Sequence, residues 1–393
     1  MQRLIPFLLS LAMLAGCASP PPLSSAPPPA LFADAAFAPP SEPIGSDALF
    51  ALSPAMRAHL HSPAFTALLR SKGLERGLIE ALYSKNELKL DYDASVTRNA
   101  ADTYAARAGN CLSLVIMTAA FARELGMTVR FQAVDADDTW SRDGSLVLVA
   151  AHVNIALGHR KPGGLLYDES ADRELVVDFL PPPDAARFRT RELDDTELVA
   201  LFHNNRAAEA LVRGRIDDAY WWARAAVAGN PAGATAYNTL GVIYQRHGQP
   251  ALAERAYRAA LERAPENLVT MQNLAPLLAQ LGRPEEARAL AQRAAAIQPV
   301  PPFHYFDQGV AAMKRGDFDA ARTLFEREVR RAPYNDEFHF WLALAHLRLG
   351  DAAQARAQLA QAVDTSTRRD VRDAYSAKLA HLRQLGSGWS RIH

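Results

Sequence analysis

Three side chains in the first half of the chain have the types and the order that thiol chemistry requires. Cys111 opens an apolar segment, and His152 and Asp178 lie on two later apolar segments. A thiolate is a nucleophile, an imidazole accepts and returns its proton, and a carboxylate holds the imidazole in one tautomer. Such a set performs acyl transfer: it attacks an amide, forms a thioester and passes the acyl group to water or to an amine.

A helix followed by strands must position these groups. The run after Cys111 is apolar and Gly126 is a typical helix stop, so the sequence predicts a helix that begins at Cys111. The dipole and the free N–H groups of a helix N-terminus favour a thiolate there. The other predicted elements are strands at 128–134, 146–157 and 174–179, a helical segment at 54–83, and a helix or loop at 91–108.

Each of these residues also has a plainer interpretation. Cys111 can be a small buried apolar side chain, and His152 can be an ordinary histidine of the core. The rival candidates are His159 for the base and Asp168 or Asp172 for the carboxylate. Because these rivals lie past a strand end and in a turn-rich stretch, the pattern favours His152 and Asp178.

An acyl-transfer site also needs hydrogen-bond donors for the oxyanion. The main-chain N–H of Cys111 can supply one donor, and Asn110 and Tyr104 are the side-chain candidates. Gly109 has no side chain and is expected to let a substrate backbone come close to the thiol.

The motifs around these residues resemble a known superfamily. A Gly-Asn-Cys at a helix start, a helix that ends in Glu-Leu-Gly, a His-bearing strand and an Asp-bearing strand resemble the transglutaminase-like superfamily, above all its bacterial branch that is coupled to helical repeats. The resemblance implies an α+β papain/transglutaminase-like domain over 49–198, with Cys111, His152 and Asp178 as catalytic counterparts. It is good over about 100 residues and poor over 49–95.

The C-terminal half repeats with a period of 34 residues. Proline, glycine and alanine each keep this interval, and the positions are Pro231, Pro265, Pro299 and Pro333; Gly214, Gly248, Gly282, Gly316 and Gly350; and Ala219, Ala253, Ala287, Ala321 and Ala355. Glycine ends the first helix of a unit, alanine lets two helices approach closely, and proline stops the second helix. The period therefore predicts paired helices stacked along one array.

One unit carries the motif of a known repeat. The pattern Tyr237-x2-Leu240-Gly241-x2-Tyr244 closely resembles the tetratricopeptide consensus. The resemblance implies an all-α tetratricopeptide-repeat solenoid over 199–370, with five units that begin near 200, 234, 268, 302 and 336. A C-terminal capping helix and tail over 371–393 complete the chain.

Arrays of this kind expose a concave groove along their first helices. By resemblance, the second, fifth, ninth and twelfth positions of each unit face this groove. The fifth positions are Asn204, Asn238, Gln272, Phe306 and Phe340, and Phe303, at a second position, adds to the aromatic end of the groove. Amides can bond a peptide backbone and aromatic rings can take its side chains, so the expected partner is a peptide or protein ligand. The alternative is that the aromatic residues pack against the last helix and belong to the core.

The N-terminus has the pattern of an exported lipoprotein. Arg3 precedes an apolar run at 4–14 that is too short to span a bilayer. The run closes on Leu-Ala-Gly-Cys, which resembles a lipobox, and the resemblance implies a signal peptide over 1–17 and lipid on Cys17. Ala18 after the cysteine implies an outer-membrane anchor that faces the periplasm. The alternative is an ordinary secretory signal or an uncleaved anchor.

The stretch after Cys17 and the overall charge complete the expectations. Residues 18–48 are rich in proline and alanine, which predicts a disordered tether. Lys plus Arg and Asp plus Glu number 43 each, so no basic field exists to hold nucleic acid. No zinc motif, paired-cysteine site or phosphate-binding glycine loop is found, and we expect neither a metal nor a cofactor.

Two functions fit the sequence. The first is an envelope lipoprotein with thiol acyl-transfer activity, by amide hydrolysis or transamidation, on a peptide or protein that the repeats recruit. The second is a catalytically inactive transglutaminase-like and tetratricopeptide scaffold that mediates protein–protein interactions in the envelope.

Overall fold

The structure is a computed structural model that describes residues 31–84, 88, 90–143, 146–158, 174–179 and 189–389. The N-terminal part combines helices with a four-stranded antiparallel sheet, and the C-terminal part consists of paired helices. Within these ranges, no helix has both the length and the apolar character that crossing a bilayer demands.

The described residues of the N-terminal part include five α-helices: α1 (Pro54–Leu60), α2 (Pro63–Lys72), α3 (Leu74–Tyr83), α4 (Ala100–Ala106) and α5 (Cys111–Glu124). The segment predicted to be helical at 54–83 is thus three short helices. Ser62 caps α2 with its side chain, and Gly73 separates α2 from α3 at a φ of 84°. These residues break the helix because a cap and a positive φ both require non-helical backbone.

The four-stranded sheet has the order β5-β4-β3-β6, with β3 (Thr128–Asp143), β4 (Leu146–Gly158), β5 (Leu175–Val177) and β6 (Arg189–Leu193). Strand β3 is longer than the predicted 128–134, and β6 was not predicted. The sequence of β6, Arg-Thr-Arg-Glu-Leu, is exposed except at Leu193. A charged strand at a sheet edge lacks the apolar alternation by which strands are recognised.

Helix α5 lies against this sheet and is the centre of the N-terminal core. Every residue from Cys111 to Ala122 is buried, so this part of the helix has no solvent face. The same hydrophobic cluster continues through Phe131 and Ile155 of the sheet into the first three helix pairs of the C-terminal part. The two parts of the chain therefore share one core.

Ten helices form five antiparallel pairs in the C-terminal part: α6 (Asp195–Val212) with α7 (Ile216–Gly229), α8 (Ala234–Arg246) with α9 (Pro250–Arg263), α10 (Leu268–Gln280) with α11 (Pro284–Ile297), α12 (His304–Arg315) with α13 (Phe318–Arg331), and α14 (Asp336–Arg348) with α15 (Ala352–Thr365). A last helix, α16 (Arg369–Trp389), follows. The glycine between the helices of each pair has a positive φ, from 74° at Gly214 to 81° at Gly350. This left-handed turn explains why glycine recurs there.

Residues 31–48 are ordered, and the prediction of a disordered tether was wrong for them; the rest of the predicted tether lies outside the described residues. The ring of Phe37 stacks on Tyr220 of α7 with centroids 3.9 Å apart. Glu42 accepts hydrogen bonds from Arg206 at 2.8 Å and from Trp222 at 2.9 Å. The segment is fixed because its aromatic and acidic side chains find partners on the first helix pair, which its proline content does not reveal.

The short segment 91–97 contacts both ends of the helical array. Near its C-terminal end, the Thr97 N–H donates to Glu209 of α6 at 2.6 Å, and Arg213 donates to the Ser95 carbonyl at 3.4 Å. At its centre, the Ala94 N–H donates to the Thr367 carbonyl, between α15 and α16, at 2.8 Å. The array is therefore tied to the N-terminal part at its beginning and at its end.

Candidate active site

Cys111 is the first residue of α5, and the cap of this helix fixes its position. The Asn110 side chain accepts a hydrogen bond from the Ser113 N–H at 2.9 Å and donates to Thr97 Oγ1 at 2.7 Å. The cap therefore holds the helix start to the 91–97 segment. Cys111 is 9% exposed, which leaves its thiol at the edge of the core.

The sheet brings His152 and Asp178 together. Strands β4 and β5 pair antiparallel with Ile155 opposite Val177, so Asp178 follows the last paired residue of β5. His152 lies diagonally across from Asp178 on the same face, within reach of a long side chain. The pairing of β3 and β4 shifts register between Val134 and Thr139, next to His152. Such irregularities re-aim side chains near functional sites.

The imidazole of His152 joins the carboxylate to the thiol. Nε2 lies 2.8 Å and 2.9 Å from the two carboxylate oxygens of Asp178. Cys111 makes a side-chain hydrogen bond with the same imidazole. The side chains of His152 and Asp178 are 13% and 14% exposed, so water is largely kept from this pair.

The electrostatics of the site concentrate on His152. Burial by itself lowers the pKa of an imidazole. The hydrogen bonds to Asp178 and Cys111, with the negative charges of both partners, outweigh burial and raise the pKa of His152 to about 9. His152 therefore carries a proton at neutral pH, which places a positive charge at the site.

Tyr92 is a fourth member of the site that sequence reasoning missed. It lies on a two-residue strand, β1 (Asp91–Tyr92), which pairs in parallel with β2 (Ala108–Gly109), and β2 ends two residues before Cys111. The Tyr92 hydroxyl makes hydrogen bonds to the main chain and to the side chain of Cys111. Two-residue strands have no periodicity that a sequence can reveal, and no signal marked this tyrosine.

Neither side-chain candidate for the oxyanion donor is confirmed by the geometry. The amide of Asn110 is used in capping α5 and in bonding Thr97. The ring of Tyr104 packs against Phe121, 6.0 Å between centroids. Phe121 is ten residues along α5 from Cys111, about 15 Å at the rise of a helix. Tyr104 is thus at the wrong end of the helix.

Gly109 makes room for the protein rather than for a substrate. A Cβ at this position would lie 2.7 Å from Cβ of Ser113 and 3.1 Å from Cγ2 of Thr103. Both neighbours are fully buried, so the glycine permits close packing between β2 and the first turn of α5.

Several predicted site residues lie outside the described residues. They are Cys17, the proposed lipid attachment site, and the rival catalytic residues His159, Asp168 and Asp172. Among the residues that the structure does describe, no group of three or more His, Cys, Asp and Glu side chains is placed to hold a metal ion.

The predicted peptide groove is only partly present. Phe303 and Phe306 are buried in a core cluster with Phe325 and Phe338, and the ring of Phe340 stacks on Tyr375 of α16 with centroids 4.9 Å apart. The prediction of an aromatic end to the groove was therefore wrong, because these rings stabilise the last two helix pairs and the C-terminal helix.

The amide end of the groove also differs from the prediction. Asn204 is buried, at 8% exposure. Asn238 and Gln272 are half-buried, and the Asn238 side-chain carbonyl accepts a hydrogen bond from Asn273 at 3.0 Å. Of the six predicted groove residues, only Asn238 and Gln272 remain polar and accessible.

Comparison with known proteins supports the repeats. Tetratricopeptide repeat families match residues 234–299 and 306–370, and no curated protein matches the chain. The C-terminal half is therefore an all-helical tetratricopeptide-repeat solenoid, and tetratricopeptide repeats are modules of protein–protein interaction. Neither comparison identifies the class of the N-terminal α+β part.

Similar solved structures each cover slightly less than half of this chain. YrrB, described as a TPR protein with an unusual peptide-binding site, is 20% identical, with 47% of this chain and 94% of that chain covered and a TM-score of 0.26. PilF of Pseudomonas aeruginosa is 20% identical over 48% and 94%, with a TM-score of 0.28. A thermophilic TPR protein of Thermus thermophilus is 20% identical over 46% and 99%, with a TM-score of 0.31.

Proposed function

We propose that the α+β part is a transglutaminase-like acyl-transfer enzyme that uses Cys111 as its nucleophile. One observation carries the proposal: a thiol at a helix N-terminus is hydrogen-bonded to an imidazole that is also hydrogen-bonded to a carboxylate. A buried core cysteine has no need of such a pair. The substrates are the amides of a peptide or protein, and the acyl group passes to water or to an amine.

The first half of the reaction uses the protonated form of His152. The sulfur of Cys111 attacks the amide carbon, an S–C bond forms, and the carbonyl π pair moves to oxygen. When the oxygen pair returns, the C–N bond breaks and the leaving amine takes the proton of His152. A pKa of about 9 keeps this proton available at neutral pH.

The second half uses the neutral imidazole. In the thioester the sulfur has no negative charge, and one of the causes that raise the pKa of His152 is lost. The lower pKa suits a base that takes a proton from water or from an acceptor amine as it attacks the thioester. Asp178 holds the ring in one orientation during both steps.

The repeats are proposed to recruit the peptide or protein substrate. Asn238 and Gln272 are polar, half-buried side chains on α8 and α10, and α10 packs against β4, the strand that carries His152. A peptide backbone bonded by these amides would lie beside the sheet that holds the catalytic histidine. Lipid on Cys17 would place this assembly at the outer membrane, facing the periplasm.

The second candidate is a scaffold without turnover. It is favoured by the tetratricopeptide families, which match only the repeats. Under this hypothesis the α+β part helps to present the repeat surface, and the thiol of Cys111 has no chemical role.

Alkylation of Cys111 in the full chain distinguishes the enzyme hypothesis from the scaffold hypothesis. We expect iodoacetamide to alkylate wild-type Cys111 at pH 6 at a rate within about fivefold of the rate at pH 8, because the imidazolium of His152 favours the thiolate. In His152→Ala, the rate is expected to fall about tenfold for each pH unit below the ordinary cysteine pKa of about 8.5. Peptide mass spectrometry measures Cys111 separately from Cys17.

His61→Ala is the matched control, since His61 is an exposed histidine at the end of α1. It should leave the pH profile of Cys111 unchanged. If the wild type and His152→Ala lose reactivity in parallel toward pH 6, the enzyme hypothesis fails and the scaffold hypothesis stands.

A further inference from the structure

The backbone on both sides of Tyr92 is fixed next to the nucleophile. The Asp91 N–H donates to the Arg107 carbonyl at 3.0 Å, and the Asp93 N–H donates to the Gly109 carbonyl at 3.0 Å. The ladder leaves Tyr92 opposite Gly109, two residues before Cys111. Its side chain then needs only its two torsions to reach the start of α5.

The Tyr92 hydroxyl touches both atoms that matter in thiol attack. It accepts a hydrogen bond from the main-chain N–H of Cys111 and makes a second hydrogen bond with the thiol. A hydroxyl has one proton to donate and lone pairs to accept, so the proton points to the sulfur. Burial and then the negative charge of Cys111 raise the pKa of Tyr92, and its hydroxyl keeps this proton at neutral pH.

We infer that Tyr92 is a catalytic residue whose hydroxyl stabilises the oxyanion together with the main-chain N–H of Cys111. This inference rests on the proposed acyl-transfer function. As the S–C bond forms, negative charge leaves the sulfur and appears on the carbonyl oxygen. That oxygen must lie close to the sulfur and to the Cys111 N–H, where the Tyr92 hydroxyl already lies. The hydroxyl transfers its hydrogen bond, not its proton, from sulfur to oxygen.

The competing role for the same geometry is occlusion. A hydroxyl that accepts from the Cys111 N–H fills the space that the oxyanion needs, and it would then have to leave before any acyl group could bind. The donor role requires only a rotation of the Tyr92 side chain, because the ladder holds the backbone of β1 against β2 beside the thiol.

Two reagents that act on the same sulfur test the inference in the full chain. Iodoacetamide reacts by substitution at a saturated carbon and forms no oxyanion, whereas p-nitrophenyl acetate acylates the thiol through a tetrahedral oxyanion. In Tyr92→Phe, we expect the alkylation rate of Cys111 to stay within about threefold of wild type. The acylation rate should fall about 100-fold to 1,000-fold, the effect of losing one oxyanion donor. The Cys111→Ser variant supplies the background for both reagents.

The controls separate the remaining outcomes. Tyr104→Phe removes a hydroxyl from the far end of α5 and should change neither rate. If both rates rise in Tyr92→Phe, the hydroxyl occludes the site, and if acylation is unchanged, it has no role; either result overturns the inference. A fall in both rates, with a lower melting temperature, would make Tyr92 structural. Absence of either reaction at wild-type Cys111 would instead defeat the proposed function itself.

Discussion

The proton of His152 makes part of the stability of the fold depend on pH. Its pKa is raised to about 9 in the folded chain, against about 6.5 for an unperturbed histidine. A raised pKa means that the folded state binds the proton more tightly than the unfolded state. The stabilising contribution is therefore complete below about pH 6.5 and is lost as the pH rises toward 9.

The variant His152→Gln should show this loss directly. We expect the difference in free energy of unfolding between the wild type and His152→Gln to be largest near pH 6, with the wild type more stable. The margin should shrink by about 3 kcal/mol at most between pH 6.5 and 9.5, at 1.36 kcal/mol for each pKa unit. Urea unfolding followed by circular dichroism at several pH values measures it, with His61→Gln as the control. A margin that grows with pH would contradict the assigned proton.

At the scale of single residues, the sequence was informative where a residue type has few uses. A cysteine, a histidine and an aspartate in the right order could be chosen because their chemistry is specific. Tyr92 could not be chosen from the sequence, since a tyrosine on an extended segment has no distinguishing pattern. Asn110 was predicted as an oxyanion donor because it precedes the thiol. At that position an asparagine more commonly caps the helix.

Among the helices, Phe306 and Gln272 give a matched comparison because both occupy the fifth position of a repeat unit. Phe306 is 5% exposed and packs in the second core cluster, whereas Gln272 is half-buried and polar. We expect Phe306→Ala to lower the free energy of unfolding by about 3–5 kcal/mol. Gln272→Ala should change it by about 0.5 kcal/mol or less.

Thermal or urea unfolding of the two variants measures this difference. If both variants lose equally little free energy of unfolding, Phe306 lies on the groove surface and not in the core. A large loss in Gln272→Ala would show that this amide supports the array and is not free for a ligand.

Elements were predictable where a period or a punctuating residue defined them. The 34-residue period marks the helix pairs because each unit needs the same glycine turn, with Gly214 and Gly350 as its first and last examples. Helix α5 followed from an apolar run between Asn110 and Gly126. Strand β6 and the breaks within 54–83 depend on tertiary pairing and local caps, which the apolar pattern does not record.

Across the whole molecule, the array has a seam within its third unit. Helix α11 buries only Ala287, whereas α9 buries five residues and α13 buries three. The first core cluster ends at α11 and the second begins at Phe303, so the hydrophobic core of the described residues is interrupted between these two helix pairs.

Hydrogen exchange should reveal this seam. Local opening requires less free energy where few apolar groups are buried, so we expect amides of α11 to exchange at least tenfold faster than those of α9 and α13. Mass spectrometry of peptides from 284–297, 250–263 and 318–331 makes the comparison. Equal protection along all three helices would show that the array opens as one unit.

The sequence divided the chain into a tether, a compact domain and an independent array. The structure instead joins these parts through contacts between distant residues: Phe37 with Tyr220, and Ala94 with Thr367. Pairings over such separations leave no periodic trace, because each partner looks like an ordinary loop or surface residue. A composition rich in proline was therefore read as disorder.

The ordered segment 31–48 also limits the distance between the folded part of the protein and a membrane. For a chain that carries lipid on Cys17, as proposed, residues 18–30 lie between the lipid and Leu31, whose carbonyl accepts a hydrogen bond from Tyr244. These 13 residues (30 − 18 + 1) reach at most about 45 Å when fully extended. Any pull on this segment would act first on α7 and α8, because Phe37 stacks on Tyr220 and the Leu31 carbonyl is bonded to Tyr244.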